Sequence, residues 1–194
     1  MGKIFLIRHG RTIWNEERRC QGITDIPLSQ EGIEEARRLR ERLRDERIDI
    51  AFSSPLKRAL ETARIILDGR DIELIIREEL RELDFGRFEG MIFREALEKF
   101  PDIAEKWANH SPDVKFPGGE GIEDIHKRLK PVAEELASLN KTALVVSHGG
   151  VIRSILCHIL NLPLERWFEF KIDPASISIV GDTGVIIGDT SHLK

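Results

Sequence analysis

Cysteine is scarce in this chain of 194 residues: Cys20 and Cys157 are the only two, too few for a disulfide framework. Neither is followed six positions later by arginine, since Ile26 and Pro163 stand there, so the phosphate loop built on a nucleophilic cysteine is absent. Both read as inert thiols, and a reducing cytoplasm is the expected compartment. A basic excess is also missing. Thirty Lys and Arg face 34 Asp and Glu, for a formal charge of -4, which argues against a nucleic-acid partner. The arginines of residues 33–47 are interleaved with Glu34, Glu35, Glu41 and Glu46, as on a solvated, ion-paired helix face. Long apolar runs are lacking too. Ile4–Ile7 is too short for a signal peptide, and nothing approaches the ~20 residues of a membrane span. No His-x-His or His-Glu-x-x-His occurs, so neither a metal nor any other cofactor is expected.

What is present is the composition of a globular protein, 41% apolar and 33% charged, at a length that suits one domain over residues 1–194. Lys3-Ile4-Phe5-Leu6-Ile7 has the continuous apolar character of a strand buried on both faces. From Ser29 to Arg47, Ile33, Ala36, Leu39 and Leu43 recur at helical spacing. Ile48–Ser53 reads as a strand. Ser54-Pro55 reads as an N-cap with proline at the first helical position, opening a helix on Leu56, Leu60, Ala63 and Leu67. Ile72–Ile76 is a third strand. Residues 87–117 are mixed, with short helices around Phe93–Phe100 and Ile103–Asn109, and form a candidate lid subregion. Glu120–Leu139 is a helix that Pro131 should kink or split. Thr142–Ser147 is a core strand and Val151–Leu160 a helix. Ile177–Val180 and Val185–Ile187 form a closing pair joined at Asp182-Thr183-Gly184. Strands alternating with helices predict an α/β fold, a three-layer α/β/α sandwich with a mostly parallel central sheet. Ligands bind such sheets beyond the carboxyl ends of the strands, and His9 and His148 stand at two of those ends.

Four clusters carry candidate chemistry, and each also has a plainer explanation. Arg8-His9-Gly10-Arg11-Thr12, with Asn15 behind it, sets a histidine beside arginine and a glycine that permits close backbone approach; a lone histidine there can equally be structural. Ser53-Ser54-Pro55-Leu56-Lys57-Arg58-Ala59 sets an arginine in the first turn of a helix whose N-terminus suits an anion. It can also be a capped helix with an exposed arginine. Val145-Val146-Ser147-His148-Gly149-Gly150 is a second strand–histidine–glycine junction, and its glycines can simply make a tight turn. Leu80-Arg81-Glu82-Leu83-Asp84-Phe85-Gly86, followed by Glu89-Gly90, places carboxylates among apolar residues, where an acid role or a salt bridge is open to them.

Together the four clusters, in this order, resemble the histidine phosphatase superfamily that includes the phosphoglycerate mutases. The resemblance runs from Lys3 to about Arg153. It implies that His9 is the phosphorylated nucleophile and that Arg8, Arg58 and a protonated His148 surround the phosphoryl oxygens. It makes Glu82 the acid that protonates the leaving oxygen, and Asn15 a phosphate-pocket residue. Gln21-Gly22, Gly149 and Gly118-Gly119-Glu120 match segments near the site. Arg11 departs from the acidic residue usual in the opening motif, and Gly121 from a common serine.

A metallohydrolase on His9 and His148 and a non-enzymatic phosphate-binding protein are the rival classes. His110, His126 and His158 read as surface or packing residues, and His192, in the tail, is a substrate-contact candidate. Trp107, Lys115, Phe116 and Phe88 either line the lid or pack. Glu-Leu-Asp-Phe-Gly-Arg-Phe-Glu-Gly and the compact stretch after it look like a phosphatase rather than a cofactor-dependent phosphoglycerate mutase. The short length, Gly69-Arg70-Asp71-Ile72 and Gly119-Glu120-Gly121 resemble α-ribazole phosphatases. Phosphoserine phosphatases and broad-specificity acid phosphatases are close alternatives. The expected partner is a small phosphate ester, with homodimerisation left open.

Overall fold

A computed structural model describes residues 2–182 and 184–194. Its sheet has six strands: β1 (Ile4–Arg8), β2 (Ile50–Ser53), β3 (Leu74–Ile76), β4 (Ala143–Ser147), β5 (Ile177–Gly181) and β6 (Gly184–Asp189). The order is β3-β2-β4-β1-β5-β6. The pairs β3–β2, β2–β4 and β4–β1 are parallel, while β1–β5 and β5–β6 are antiparallel. The sheet is therefore mixed and mostly parallel. Thr183, in the expected closing turn, lies outside the described residues.

The uninterrupted apolar character of β1 and β4 follows from burial on both faces. Ile4, Leu6, Ala143 and Val145 belong to one core, and Phe5, Ile7, Leu144 and Val146 to the other. The first core is covered by α6 (Ile122–Ser138) and α7 (Gly149–Ile159), the second by α2 (Gln30–Arg42) and α3 (Lys57–Leu67). These are the three expected layers. The one-turn α1 (Ile13–Glu16) follows β1, while α4 (Phe93–Lys99) and α5 (Pro101–Ala108) flank the first core. Phe88, Ala96, Val114 and Phe116 are buried in that core. Residues 87–117 are thus anchored in it as well as bordering the site.

Several helices differ from the sequence expectation. Helix α2 stops at Arg42 rather than Arg47, because the Arg70 guanidinium donates to the Leu43 and Glu46 carbonyls and holds the chain in a turn. Helix α6 runs unbroken through Pro131. Pro131 and Lys127, whose carbonyl its ring leaves without a donor, are both exposed residues, so water can supply the missing bond. Helix α7 begins at Gly149, which makes the two glycines its first turn and His148 its N-cap. The tail strand β6 leaves Val185, Ile186 and Ile187 exposed.

Candidate active site

The parallel strands bring the first three clusters to one sheet edge. The His9 amide donates to the Ser147 carbonyl at 3.0 Å, and the Ser54 amide to the Val146 carbonyl at 3.1 Å. The ends of β1, β2 and β4 are thereby held side by side. The His9 and His148 rings lie with centroids 5.1 Å apart, edge to face.

His9 is 2% exposed. Its Nδ1 lies 2.7 Å from the Gly10 carbonyl, an acceptor, so Nδ1 carries the hydrogen and Nε2 keeps its lone pair. Gly10 is fixed in turn. Its amide donates to Thr62 Oγ1 at 3.1 Å, and a Cβ there would meet the Gly32 carbonyl oxygen at 2.4 Å. Burial, then the charges of Arg58 and Arg8, hold the His9 pKa well below the usual histidine value. The ring is a neutral base at physiological pH.

His148 is fully buried, with Nε2 2.8 Å from Ser54 Oγ and Nδ1 unpaired. Burial, reinforced by Arg58, keeps it well below the normal range too. The protonated His148 implied by the resemblance belongs to a site holding a phosphoryl group; without one, burial disfavours that proton. As a neutral ring it still donates one N–H, and only an arriving anion would favour a second proton.

The arginines are set by backbone carbonyls. Fully buried Arg58 donates through Nη2 to Gly22 at 2.6 Å and through Nη1 to Thr24 at 2.9 Å. Gly22 holds φ +52°, and a Cβ there would collide with Glu89 Oε1 at 2.0 Å. Arg8 donates through Nη1 to Ile172 at 2.6 Å. The Nε groups of both arginines are buried without a partner. Ser54 and Pro55 do not cap α3: the N-cap is Leu56, with no side-chain capping bond. The Lys57 amide at the start of α3 donates instead to Asp25 Oδ1 at 2.7 Å. A protein carboxylate therefore takes this amide.

Glu82 is 8% exposed, and its carboxylate accepts from the Leu83 amide at 2.9 Å and the Gly150 amide at 3.3 Å. It borders a cleft of about 260 Å³ that Arg8, Asn15, Gln21, Gly22 and Gly149 also line. Gln21 is buried with Oε1 unpaired. Asn15 Oδ1 accepts from the Thr12 amide, closing α1 back on the loop. Asp84 does not line the cleft; its carboxylate accepts from the Gly86 amide at 2.8 Å. Glu120 lies behind the acid segment, where it receives the Asp84 amide at 3.0 Å and pairs with Arg128 at 3.0 Å.

Sequence reasoning left several cleft residues unassigned. Arg18, Arg19, Arg153 and Trp167 line it, as does Trp107, whereas Phe88 and Phe116 are core and Lys115 is an exposed partner of Asp124. Arg153 was within reach, because it lies one helical turn after Gly149 on α7. His192 lies elsewhere, bonded to the Ala175 carbonyl beside Arg38 and Arg42. His110 stacks on Phe168, and His126 on His158. The departure at Arg11 has a structural counterpart: its amide and Nε both bind the buried carboxylate of Glu35, at 2.8 and 2.7 Å. Gly121 is the N-cap of α6, where a Cβ would stand 2.9 Å from the Val114 carbonyl oxygen. Cys20 and Cys157 are free and buried, with thiols pushed up by burial to about 12 and 11. Among the described residues no helix is long and apolar enough to cross a membrane, and no three His, Cys, Asp or Glu side chains gather as a metal site.

Comparison with known proteins places these features among relatives. The family model described as histidine phosphatase superfamily (branch 1) matches residues 4–184. Phosphoserine phosphatase 1 of Hydrogenobacter thermophilus is 35% identical over 182 residues, covering 93% of this chain and 86% of that protein. A phosphoserine phosphatase variant from Entamoeba histolytica, solved with phosphoserine, superposes with a TM-score of 0.86 at 30% identity over 100% of both chains. An α-ribazole phosphatase from Shigella flexneri gives 0.84 at 27% identity, covering 96% of each.

Proposed function

The chain belongs to the histidine phosphatase superfamily (branch 1) and is a phosphatase, and from that premise we propose that it hydrolyses small phosphomonoesters through a phosphohistidine on His9. One observation carries this reading. Beside a neutral His9, Arg8 Nε, Arg58 Nε and His148 Nδ1 are buried and unpaired. Unpaired buried donors are costly, and Arg8 and Arg58 both act on the His9 and His148 rings, as in a site completed by an anion.

The chemistry follows from the residue types. His9 Nε2 attacks phosphorus in line, the N–P bond forms and the ester P–O bond breaks. Arg8, Arg58 and the His148 N–H meet the charge spread over the equatorial oxygens. Protonated Glu82 gives its proton to the leaving oxygen. As a carboxylate it then takes one from the water that attacks phosphohistidine, releasing phosphate and neutral His9. Every charge-stabilising group in this scheme is a side chain.

The test is transfer of label from a phosphomonoester to the protein. An acid-labile, base-stable label should appear in the wild type and vanish in His9→Ala. Turnover should persist in excess EDTA and fall with vanadate, which mimics the trigonal-bipyramidal transition state. A label retained in His9→Ala, or turnover lost to EDTA and restored by a divalent metal, would refute the scheme. Phosphoserine and α-ribazole 5'-phosphate, the substrates after which relatives are named, head the panel. Including 3-phosphoglycerate separates phosphate release from mutase flux.

A further inference from the structure

The cleft holds more positive charge than a phosphoryl group requires. Arg8, Arg18, Arg19 and Arg153 line it, while Glu82 is its sole carboxylate among the described lining residues. Arg8 and the buried Arg58 are committed to the phosphoryl site, and Arg19 is paired with Glu17 and the Gly90 carbonyl. Arg153 and Arg18 remain. Neither has a carboxylate within 4.0 Å among the described residues.

Arg153 is held as a binding group is held. Its Nε donates to the Phe170 carbonyl at 2.9 Å, and its guanidinium lies 4.7 Å from the Trp167 ring centre. Trp167 is itself pinned by indole N–H contacts to the Gly150 carbonyl at 3.1 Å and Ser154 Oγ at 3.2 Å. The planar fork is therefore oriented before a ligand arrives, and its two Nη groups make no hydrogen bond within the described protein. Burial lowers its pKa to about 10, which leaves it charged at neutral pH. Glu82 and Asp173 act on this guanidinium through space, but neither pairs with it directly, and its Nη edge is left for a ligand anion. Arg18, on the loop after α1, adds a second unpaired cation and sits in the left-handed region at φ +59°.

We infer that Arg153, assisted by Arg18, forms a second anion subsite that selects phosphomonoesters whose leaving alcohol carries a carboxylate. The inference rests on the phosphatase reading above and adds the substrate class. Arg153 acts on specificity: the carboxylate binds its Nη edge while the phosphoryl group occupies the site of Arg8, Arg58 and His148. No bond is made or broken at this second position.

The experiment compares phosphoglycolate with ethyl phosphate, near-isosteric esters that differ by the carboxylate, as ratios of kcat/KM. The wild type should favour phosphoglycolate by roughly 10- to 100-fold, the range of a hydrogen bond between charged groups. Arg153→Gln should collapse that ratio, and Arg153→Lys should restore part of it. A purely structural Arg153, holding Phe170 and Trp167, would lower both esters alike and leave the ratio intact. Equal turnover of the two esters by the wild type overturns the subsite whether or not the variants fold. Absence of phosphate release from both, with no label on His9, would instead sink the phosphatase reading and the subsite with it.

Discussion

Ser54 Oγ and His148 Nε2 meet at 2.8 Å, with both side chains fully buried. The same oxygen accepts from the Leu56 amide at 3.3 Å, which leaves the hydroxyl hydrogen free to donate to the imidazole. His148 then carries its own hydrogen on Nδ1, the atom that is buried and unpaired. On the proposed mechanism, Ser54 is in this way a positioning residue for the His148 tautomer that faces the phosphoryl oxygens.

Removing that hydroxyl should therefore release the tautomer. Ser54→Ala is expected to slow single-turnover phosphorylation of His9 by roughly 10-fold, the worth of one hydrogen bond in a buried site. Ser54→Thr, which keeps the hydroxyl, should recover most of the loss. Nitrogen-15 shifts of His148 should move from an Nδ1–H pattern toward mixed tautomers in Ser54→Ala. Unchanged shifts with unchanged rates would remove Ser54 from this role.

Glu82 and Asp84 lie two residues apart in sequence but differ in place: Glu82 borders the cleft and Asp84 does not. Glu82→Gln keeps the shape and loses the acidic proton. An alkoxide needs that proton to depart, whereas p-nitrophenolate leaves without it. The variant should lose far more activity on alkyl phosphates than on p-nitrophenyl phosphate in the phosphorylation step, measured by single turnover. Asp84→Asn should show no such contrast. A selective alkyl-phosphate defect in Asp84→Asn would transfer the acid role.

Arg11 supports the loop that carries His9. Glu35 is 2% exposed, and its carboxylate depends on the Arg11 amide and Nε. Burial raises its pKa despite these bonds. Arg11→Asp should place two carboxylates together and cost about 2 kcal/mol. Arg11→Asp combined with Glu35→Gln should recover much of that. Urea denaturation midpoints of the three proteins decide the matter, and an unaffected single variant would contradict the pairing.

His126 on α6 stacks on His158 of α7 with ring centres 3.7 Å apart, and His158 Nε2 donates to the His126 carbonyl at 2.8 Å. Burial, then the neighbouring His158, lowers the His126 pKa to about 4. The unfolded chain takes up this proton near 6.5, so stability is lost as pH falls from about 6.5 to about 4 and levels off below. Buried His9 and His148 add to the loss in the same direction. Urea midpoints at pH 7 and pH 4.5 should differ less in His126→Gln than in the wild type. An equal difference in both would assign the pH dependence elsewhere.

Much of the architecture is legible locally. The apolar runs of β1 and β4 require two covering layers, and the observed sandwich supplies them. The histidines fall at strand ends because each directly follows such a run. Helix ends were less legible, since distant residues set them: Arg70 stops α2, and Asp25 rather than Ser54 meets the start of α3.

The same division holds at the site. Residue order alone picked out the segments that meet at the candidate site, because Arg8-His9, Arg58, Glu82 and His148 each sit in a short segment with its own strand, glycine or helix punctuation. Tertiary structure alone decided the protonation of His9 and His148, the hydroxyl that orients His148, the withdrawal of Asp84 and the entry of Arg153 into the cleft. Protonation depends on burial and on charges brought close by folding, and the Ser54–His148 contact joins residues 94 positions apart. Such sums over neighbours have no counterpart in a linear motif, which records only what lies within a few residues along the chain.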